Sequence, residues 1–138
     1  SGLKVSAFMT PDLFTVQKDD ILALVIDMRD WRKIKYTPVE DKDGKLVGLI
    51  TLRLVLRHFL KLRNQDPGSE PEVTTAKDIM NKNPHTIGPN ATIHEAMAIM
   101  RDNMIGCLPV VQNGELIGII TETDFLKIAG RLIERLES

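Results

Sequence analysis

The sequence predicts an α+β fold: two similar β-α-β-β-α units packed sheet to sheet about a pseudo-twofold axis. Three observations predict it, namely a repeated order of sequence blocks, a hairpin pattern in each copy and amphipathic helical patterns around each hairpin. A unit of about 60 residues buries its own sheet poorly, so two such units are expected to share a core.

The repetition comes first, because a fixed internal period determines the architecture. Four blocks recur in one order, and each second copy lies 70 to 72 residues after the first. They are Met9 before Thr15-Val16 and Met80 before Thr86-Ile87, residues 28–30 and 100–102, Pro38-Val39 and Pro109-Val110, and residues 48–51 and 118–121. A polar stretch with Pro and Gly joins the copies. We therefore predict a first unit at 3–63, a linker at 64–74 and a second unit at 75–138.

Within each unit the order of elements follows from periodicity. Short strands are expected at residues 14–16 and 85–87. A helix follows each strand, and in the second unit Thr92 and Glu95 form a capping box at its start. Apolar residues at helical spacing then continue both helices. They are Ile21, Leu22, Val25, Met28 and Trp31 in the first, and Ile93, Ala96, Met97, Met100 and Met104 in the second.

A hairpin and a closing helix complete each unit. In the second unit, apolar runs at 108–111 and 116–121 flank Asn113-Gly114, which suits the positive φ angles of a type I′ turn. The first unit has a longer turn at 41–44. Closing helices are expected at about 53–62 and 124–136.

Composition excludes several classes of protein. The 138 residues carry 18 basic and 19 acidic side chains, so no strong global field attracts nucleic acid or an anionic membrane. The single cysteine, Cys107, permits no internal disulfide. No apolar run has the roughly 20 residues of a membrane span, and no secretory signal opens the chain. We expect a cytoplasmic protein, although Ser1-Gly2 in place of an initiator Met suggests an excised piece.

The ordered blocks resemble the CBS domain, and their tandem arrangement resembles a Bateman module. The resemblance rests on residues 78–80, 109–111, 118–121 and 121–124 of the second unit and on 8–10, Pro38-Val39 and 48–51 of the first. It implies a regulatory module that binds AMP, ADP, ATP or S-adenosylmethionine in a cleft between units and controls an attached or partner protein. It also implies a homodimer formed through helices, for which Val25, Trp31, Met97 and Met104 offer apolar surface.

The resemblance points to Thr121 and Asp124 as the main ligand contacts. A carboxylate accepts hydrogen bonds from both ribose hydroxyls, and the hydroxyl three residues earlier reaches phosphate. The helix that starts here also offers free N–H groups to an anion. The alternative is that Asp124 only caps the closing helix, a common use of aspartate. In the first unit Leu54 replaces the aspartate and cannot accept a hydrogen bond, so we expect one ligand per chain.

The resemblance further implies that Thr10, Phe14, Ile34 and Lys35 form the adenine-side wall of the same cleft, with Ile119 beside Thr121. Adenine needs a flat apolar slot and backbone hydrogen bonds, so side-chain identity is loosely constrained. Lys33 and Lys35 are candidates for phosphate contacts. Equally, they are part of a solvated charged stretch at 29–35.

Other chemistry finds no support. His58, His85, His94 and Cys107 lack metal-ligand spacing, and no metal is expected. Cys107 is interpreted as a buried apolar residue, and residues 41–44 as a turn without the later ligands of a calcium loop. The basic positions of the first closing helix are interpreted as a solvated face, with RNA or an acidic partner less favoured.

Two functional hypotheses remain. The first is a regulatory ligand-sensing module, and the second is a structural dimerisation module with vestigial ligand sites. The intact Thr121-to-Asp124 motif favours the first, and Leu54 favours the second. A catalytic role lacks a nucleophile or base constellation, so the sequence does not predict an enzyme.

Overall fold

The fold contains two antiparallel hairpins and the helices that pack on them. The coordinates are a computed structural model that describes residues 2–23, 35–64 and 73–137. The described elements are a 3₁₀ turn at Val5–Ala7, strands β1 (Tyr36–Glu40), β2 (Leu46–Thr51), β3 (Cys107–Gln112) and β4 (Glu115–Thr121), and helices α1 (Leu52–Arg63), α2 (Ala76–Ile79), α3 (Ile93–Asn103) and α4 (Glu122–Glu137). This mixture of helix and strand confirms the predicted α+β class.

The two hairpins repeat each other in register. Pro38 pairs with Leu49 in one and Pro109 with Ile119 in the other, and both hairpins carry an irregularity at the strand end near the turn. At the β3–β4 turn, Asn113 and Gly114 have φ values of 54° and 83°. Both values are positive, as the predicted type I′ turn requires.

The predicted strands at 14–16 and 85–87 are reduced to single bridges. Val16 pairs in parallel with Val39, and Ile87 pairs in parallel with Val110. Each residue makes two backbone hydrogen bonds to its hairpin, such as Val16 N–H to the Pro38 carbonyl at 3.1 Å. The segments therefore lie where the prediction put them. Each segment, however, has only one paired residue, which is too few for a regular strand.

Helix α3 begins at its predicted cap. Thr92 and Glu95 form the expected capping box at the start of α3, with each side chain accepting from the other residue's backbone N–H. Thr51 caps α1 by accepting from the Leu54 N–H at 3.2 Å. The closing helices α1 and α4 begin at Leu52 and Glu122, one and two residues before the predicted starts. The predicted first-unit helix lies largely outside the described residues.

The chain divides into two compact units that do not follow the sequence repeats. One unit consists of residues 1–13 with 85–138, and the other of residues 14–84. The predicted division at 3–63 and 75–138 follows the repeats. In space, the first thirteen residues belong with the second hairpin, and residues 75–84 belong with the first. Most of the predicted linker lies outside the described residues.

Each unit has its own core, and in each unit one residue from outside the hairpin forms an antiparallel bridge to the hairpin edge. Leu108, Val110 and Ile120 are fully buried in one unit, and Val39 is fully buried in the other. Beside β4, Thr10 exchanges two backbone hydrogen bonds with Ile119, at 2.8 and 3.0 Å. Beside β2, Asn81 does the same with Leu49, at 2.9 Å each.

A methionine packs over a glycine next to each of these bridges. A Cβ on Gly118 would lie 2.7 Å from the Met9 sulfur, and a Cβ on Gly48 would lie 2.5 Å from the Met80 sulfur. The repeated Met and Gly of the sequence therefore make one contact in each unit. The missing side chain is what lets the methionine and the bridge come this close.

No helix among the described residues is both long enough and apolar enough to cross a lipid bilayer.

Candidate functional site: the Asp124 cavity

The candidate site is built at the junction between β4 and α4. Asp124 is the third residue of α4, and only 7% of its surface is exposed, which is unusual for an aspartate. Its Oδ2 accepts the Thr121 backbone N–H at 2.8 Å, and the Thr121 hydroxyl lies 3.4 Å from the same oxygen. The carboxylate thus satisfies a free N–H group at the helix start.

The second carboxylate oxygen of Asp124 is left for another partner. In the described residues, neither hydrogen bond of this side chain uses Oδ1. In the same part of the chain, no fully buried side-chain oxygen or nitrogen lacks a partner. Oδ1 is therefore accessible rather than buried and unsatisfied.

Asp124 opens onto a cavity of about 250 Å³. One wall is the segment that follows the 3₁₀ turn, and the other is a face of α4. The lining residues are Ala7, Phe8, Met9, Thr10, Pro11, Asp124, Lys127, Ile128 and Arg131. All of them belong to the unit formed by residues 1–13 and 85–138. The cavity thus combines an acceptor, a hydroxyl, two cations and apolar surface.

Four of the eight predicted ligand residues meet around this cavity. Thr10 and Asp124 line it, Ile119 pairs with Thr10, and Thr121 donates its N–H to Asp124. Phe14 and Lys35 belong to the other compact unit. Ile34 and Lys33 lie outside the described residues. The adenine-side wall therefore stays a prediction.

The Thr-x-x-Asp arrangement alone does not define a ligand site. Thr75 and Asp78 make the same turn at the start of α2, where the Thr75 N–H donates to Asp78 Oδ2 at 2.8 Å. This hydrogen bond lowers the pKa of Asp78, whose carboxylate is exposed. The cap interpretation thus holds for both aspartates. Burial against a cavity is what distinguishes Asp124.

The equivalent position of the first repeat has lost the carboxylate. Leu54 is partly buried in the first turn of α1, where its N–H donates to the Thr51 hydroxyl. The helix start is therefore capped by a threonine side chain, and no acceptor is presented at position 54.

Two features of the site were missed by the sequence interpretation. Lys127 and Arg131 line the cavity, although only Lys33 and Lys35 were considered as cations. The signal was present, since positions three and seven residues after Asp124 share its helix face. The exposed apolar residues of the closing helices were also missed, namely Leu56, Phe59 and Leu60 on α1 and Leu126, Leu132, Ile133 and Leu136 on α4.

Alternative chemistry is limited by burial and spacing. Burial, with a smaller contribution from Glu122, raises the pKa of the Cys107 thiol to about 12, and only 3% of the residue is exposed. Such a thiol is a poor nucleophile at neutral pH. Among residues 2–23, 35–64 and 73–137, no group of three or more His, Cys, Asp or Glu side chains could hold a metal ion.

The family model for the CBS domain matches the chain twice, at residues 5–61 and 76–131. The chain belongs to the CBS domain family. CBS domain pairs of this kind are regulatory modules rather than enzymes. A CBS domain-containing protein of Dictyostelium discoideum is 34% identical over 135 residues, which cover 94% of this chain and 93% of that protein. An inosine-5'-monophosphate dehydrogenase of Methanocaldococcus jannaschii is 32% identical over 125 residues, but these are only 23% of that enzyme.

Solved CBS structures share the fold over nearly the whole chain. A Vibrio cholerae protein described as an acetoin utilization protein superposes with a TM-score of 0.87 and 28% identity, covering 100% of this chain and 99% of its own. CBSX2, solved in complex with AMP, gives 0.81 and 24% identity, covering 95% and 98%. A CBS domain pair in complex with 5'-methylthioadenosine and S-adenosyl-L-methionine gives 0.79 and 21%, covering 94% and 98%.

Proposed function

We propose that this CBS pair is a sensor that binds an adenosine ligand (AMP, ADP, ATP or S-adenosylmethionine) at the Asp124 cavity and thereby regulates an attached or partner protein. The observation that carries the proposal is a buried carboxylate with an accessible Oδ1 at the wall of a cavity. A ribose diol supplies the two donors that such an acceptor lacks. That other CBS pairs hold AMP or S-adenosyl-L-methionine supports this ligand class.

The size of the cavity indicates how much of the ligand this unit would enclose. Pockets that surround a drug-sized ligand measure roughly 300–1,000 Å³. About 250 Å³ leaves space for a sugar with one attached group. The base would then contact other residues. The resemblance to the family implies Phe14, Ile34 and Lys35 for the adenine and Lys33 or Lys35 for phosphate, and these roles stay part of the proposal.

Regulation by such a ligand requires a difference in affinity between two states of the module. A ligand shifts an equilibrium only by the amount by which it prefers one state. Binding at the β4–α4 junction would bias the position of α4 against residues 7–11, because both walls of the cavity would contact the ligand. A role in sensing nucleotides also suits a cytoplasmic location, which we propose on account of the ligand alone.

A thermal-shift screen with AMP, ADP, ATP and S-adenosylmethionine tests the proposal. A ligand that binds only the folded state raises the unfolding midpoint, by a free energy of about 2.7 kcal/mol at 100 times its Kd. We expect at least one of the four to raise the midpoint. Unchanged midpoints with all four at millimolar concentration would contradict the proposal.

The second candidate function is a structural dimerisation module, and the closing helices favour it. Leu126 and Leu136 on α4 are 70% and 85% exposed, and Leu56 occupies on α1 the position that Leu126 has on α4. Exposed apolar residues along a helix mark an interaction surface. Met97 and Met104, predicted for the same role, are 51% and 91% exposed, whereas Val25 and Trp31 lie outside the described residues.

We propose a homodimer whichever candidate holds, and sedimentation tests it. At tens of micromolar we expect twice the mass of the 15.5 kDa chain. The Leu126→Glu/Leu136→Glu variant should shift the protein toward the monomer, because it places charges on the apolar face of α4. A wild-type protein that sediments only at 15.5 kDa would contradict the dimer, and a dimer that binds none of the four ligands would favour the structural role.

A further inference from the structure

Helix α4 carries two cations on the same face as Asp124. Lys127 and Arg131 follow the aspartate by three and seven residues, and all three line the cavity. Residues at these spacings share one face of a helix. With a rise of about 1.5 Å per residue, the two cations start about 4.5 and 10.5 Å along the axis from Asp124. The helix thus presents one acceptor followed by two positive charges in a line.

Among the residues that the structure describes, neither cation is paired with an acidic side chain. Ion pairs join Lys77 to Asp19 and Arg101 to Asp102, whereas Lys127 and Arg131 have none within the described ranges. Asp124 also stays separate from them, since its Oδ2 binds the Thr121 N–H. The cavity wall therefore has two uncompensated positive charges against one carboxylate.

A ligand that complements the acceptor and the two cations on this wall has a diol at one end and negative charge at the other. In a nucleotide the 5'-phosphate lies across the sugar from the ribose hydroxyls, which matches the direction from Asp124 toward Lys127 and Arg131. S-adenosylmethionine would instead bring a sulfonium and an ammonium group, with a single carboxylate, toward two cations. Opposite charges within a few ångströms attract and like charges repel, and the effect is larger where water is partly excluded.

We propose that the Asp124 cavity selects nucleoside phosphates over S-adenosylmethionine and unphosphorylated adenosine, with Lys127 and Arg131 as the phosphate-binding residues. This inference rests on the proposed function and narrows its ligand class. Arginine contributes a fork of donors that suits phosphate oxygens, and lysine contributes a point charge that tolerates several geometries. The more distant Arg131 lies within reach of the β- or γ-phosphate of a longer ligand.

The sequence repeat supplies a matched control. Arg57 and Lys61 lie 70 residues before Lys127 and Arg131, at the corresponding positions of α1. Their helix has Leu54 at the position of Asp124, so it has the charges without the acceptor. Removing charge from either pair changes the net charge of the protein by the same amount. Only the α4 pair should affect a ligand held by Asp124.

Titration calorimetry on the full chain with adenosine, AMP, ATP and S-adenosylmethionine provides the test. We expect AMP to bind at least about fivefold more tightly than adenosine, the range for partly exposed charge-assisted contacts. In Lys127→Gln/Arg131→Gln this gap should fall below about twofold. Arg57→Gln/Lys61→Gln should keep the full gap. Raising salt should weaken AMP binding and spare adenosine.

The outcomes separate this inference from the proposed function. Equal affinities for adenosine and AMP, or tighter binding of S-adenosylmethionine than of AMP, would overturn the inference while an Asp124-dependent adenosine site would stand. An equal loss of AMP affinity in both double variants would also overturn it, because the effect would then come from overall charge. Binding of none of the four compounds would overturn both proposals.

Discussion

We assign two roles to Asp124, a helix cap and a ribose contact, and substitutions can separate them. One carboxylate oxygen caps α4 through the Thr121 N–H, and the other is available to a ribose. Asp124→Ala removes both roles. Asp124→Asn keeps an oxygen for the cap, but it loses the charge and places an amide donor where the diol needs an acceptor. The asparagine variant should therefore retain the fold and lose the ligand.

The magnitudes follow from the contacts. Loss of the cap in Asp124→Ala should lower the free energy of unfolding by about 1 kcal/mol, within the usual range of about 0.5–2 kcal/mol. A change of that size lowers the Tm by roughly 2–8 °C in domains of this size class. Loss of hydrogen bonds to a charged acceptor, about 1.5–3 kcal/mol, should weaken AMP binding by about 10- to 150-fold.

Asp78 is the matched control for this experiment. It makes the same hydrogen bond at the start of α2, but its carboxylate is exposed. Asp78→Ala should lower the unfolding midpoint in urea and leave AMP affinity within twofold of wild type. Calorimetry and urea unfolding of the four proteins check the pattern. If Asp124→Asn binds AMP as well as wild type does, Asp124 is a helix cap only, and its proposed ligand role is wrong.

Three further predictions follow from particular residues. Calorimetry should find one AMP per chain, and Leu54→Asp should improve AMP binding beside position 54 if the missing carboxylate is the main defect there; two equal sites in the wild type would contradict this. Gly118→Ala should lower the free energy of unfolding by about 1–3 kcal/mol, because the new Cβ would meet the Met9 sulfur and the Thr10 carbonyl. Gly130→Ala should instead raise the free energy of unfolding by about 0.5–1 kcal/mol, because Gly130 lies in α4 with open space around it. Cys107, whose pKa is raised to about 12, should resist iodoacetamide at pH 8 until urea unfolds the chain, and rapid alkylation of the native protein would contradict its burial.

Acid should remove the contribution that the Asp78 carboxylate makes to the free energy of unfolding. The pKa of Asp78 lies below its ordinary value of 3.8 because the Thr75 N–H stabilises the carboxylate. Its stabilising effect is therefore fully present above the unfolded pKa and is lost as the pH falls through the folded value. The difference in unfolding midpoint between wild type and Asp78→Asn should shrink below pH 4. A difference that grows in acid would contradict this sign.

Local patterns predicted most elements because their causes are local. The Asn113-Gly114 turn and the Thr92–Glu95 capping box depend on neighbouring residues only, and both are present as predicted. The short segments at Val16 and Ile87 were overestimated as strands, because β propensity does not show how many residues a hairpin edge will pair.

Long-range placement was harder to predict. Periodicity assigns residues 1–13 to the first repeat, yet this segment joins the second hairpin through two hydrogen bonds between Thr10 and Ile119 and through Met9 over Gly118. Only the resemblance to the CBS family pointed to Thr10 as a neighbour of the Asp124 site. Lys127 and Arg131 were missed because a basic residue on an amphipathic helix is usually solvated, and the cavity beside them is a product of tertiary packing.

A crystal structure of the protein with AMP would show directly whether the Asp124 cavity holds the ribose. We expect AMP in the cavity between residues 7–11 and α4, with its ribose hydroxyls within hydrogen-bonding distance of the Asp124 carboxylate and its phosphate toward Lys127. AMP bound only beside Leu54, or a ribose held by other residues while Asp124 contacts Thr121 alone, would contradict it.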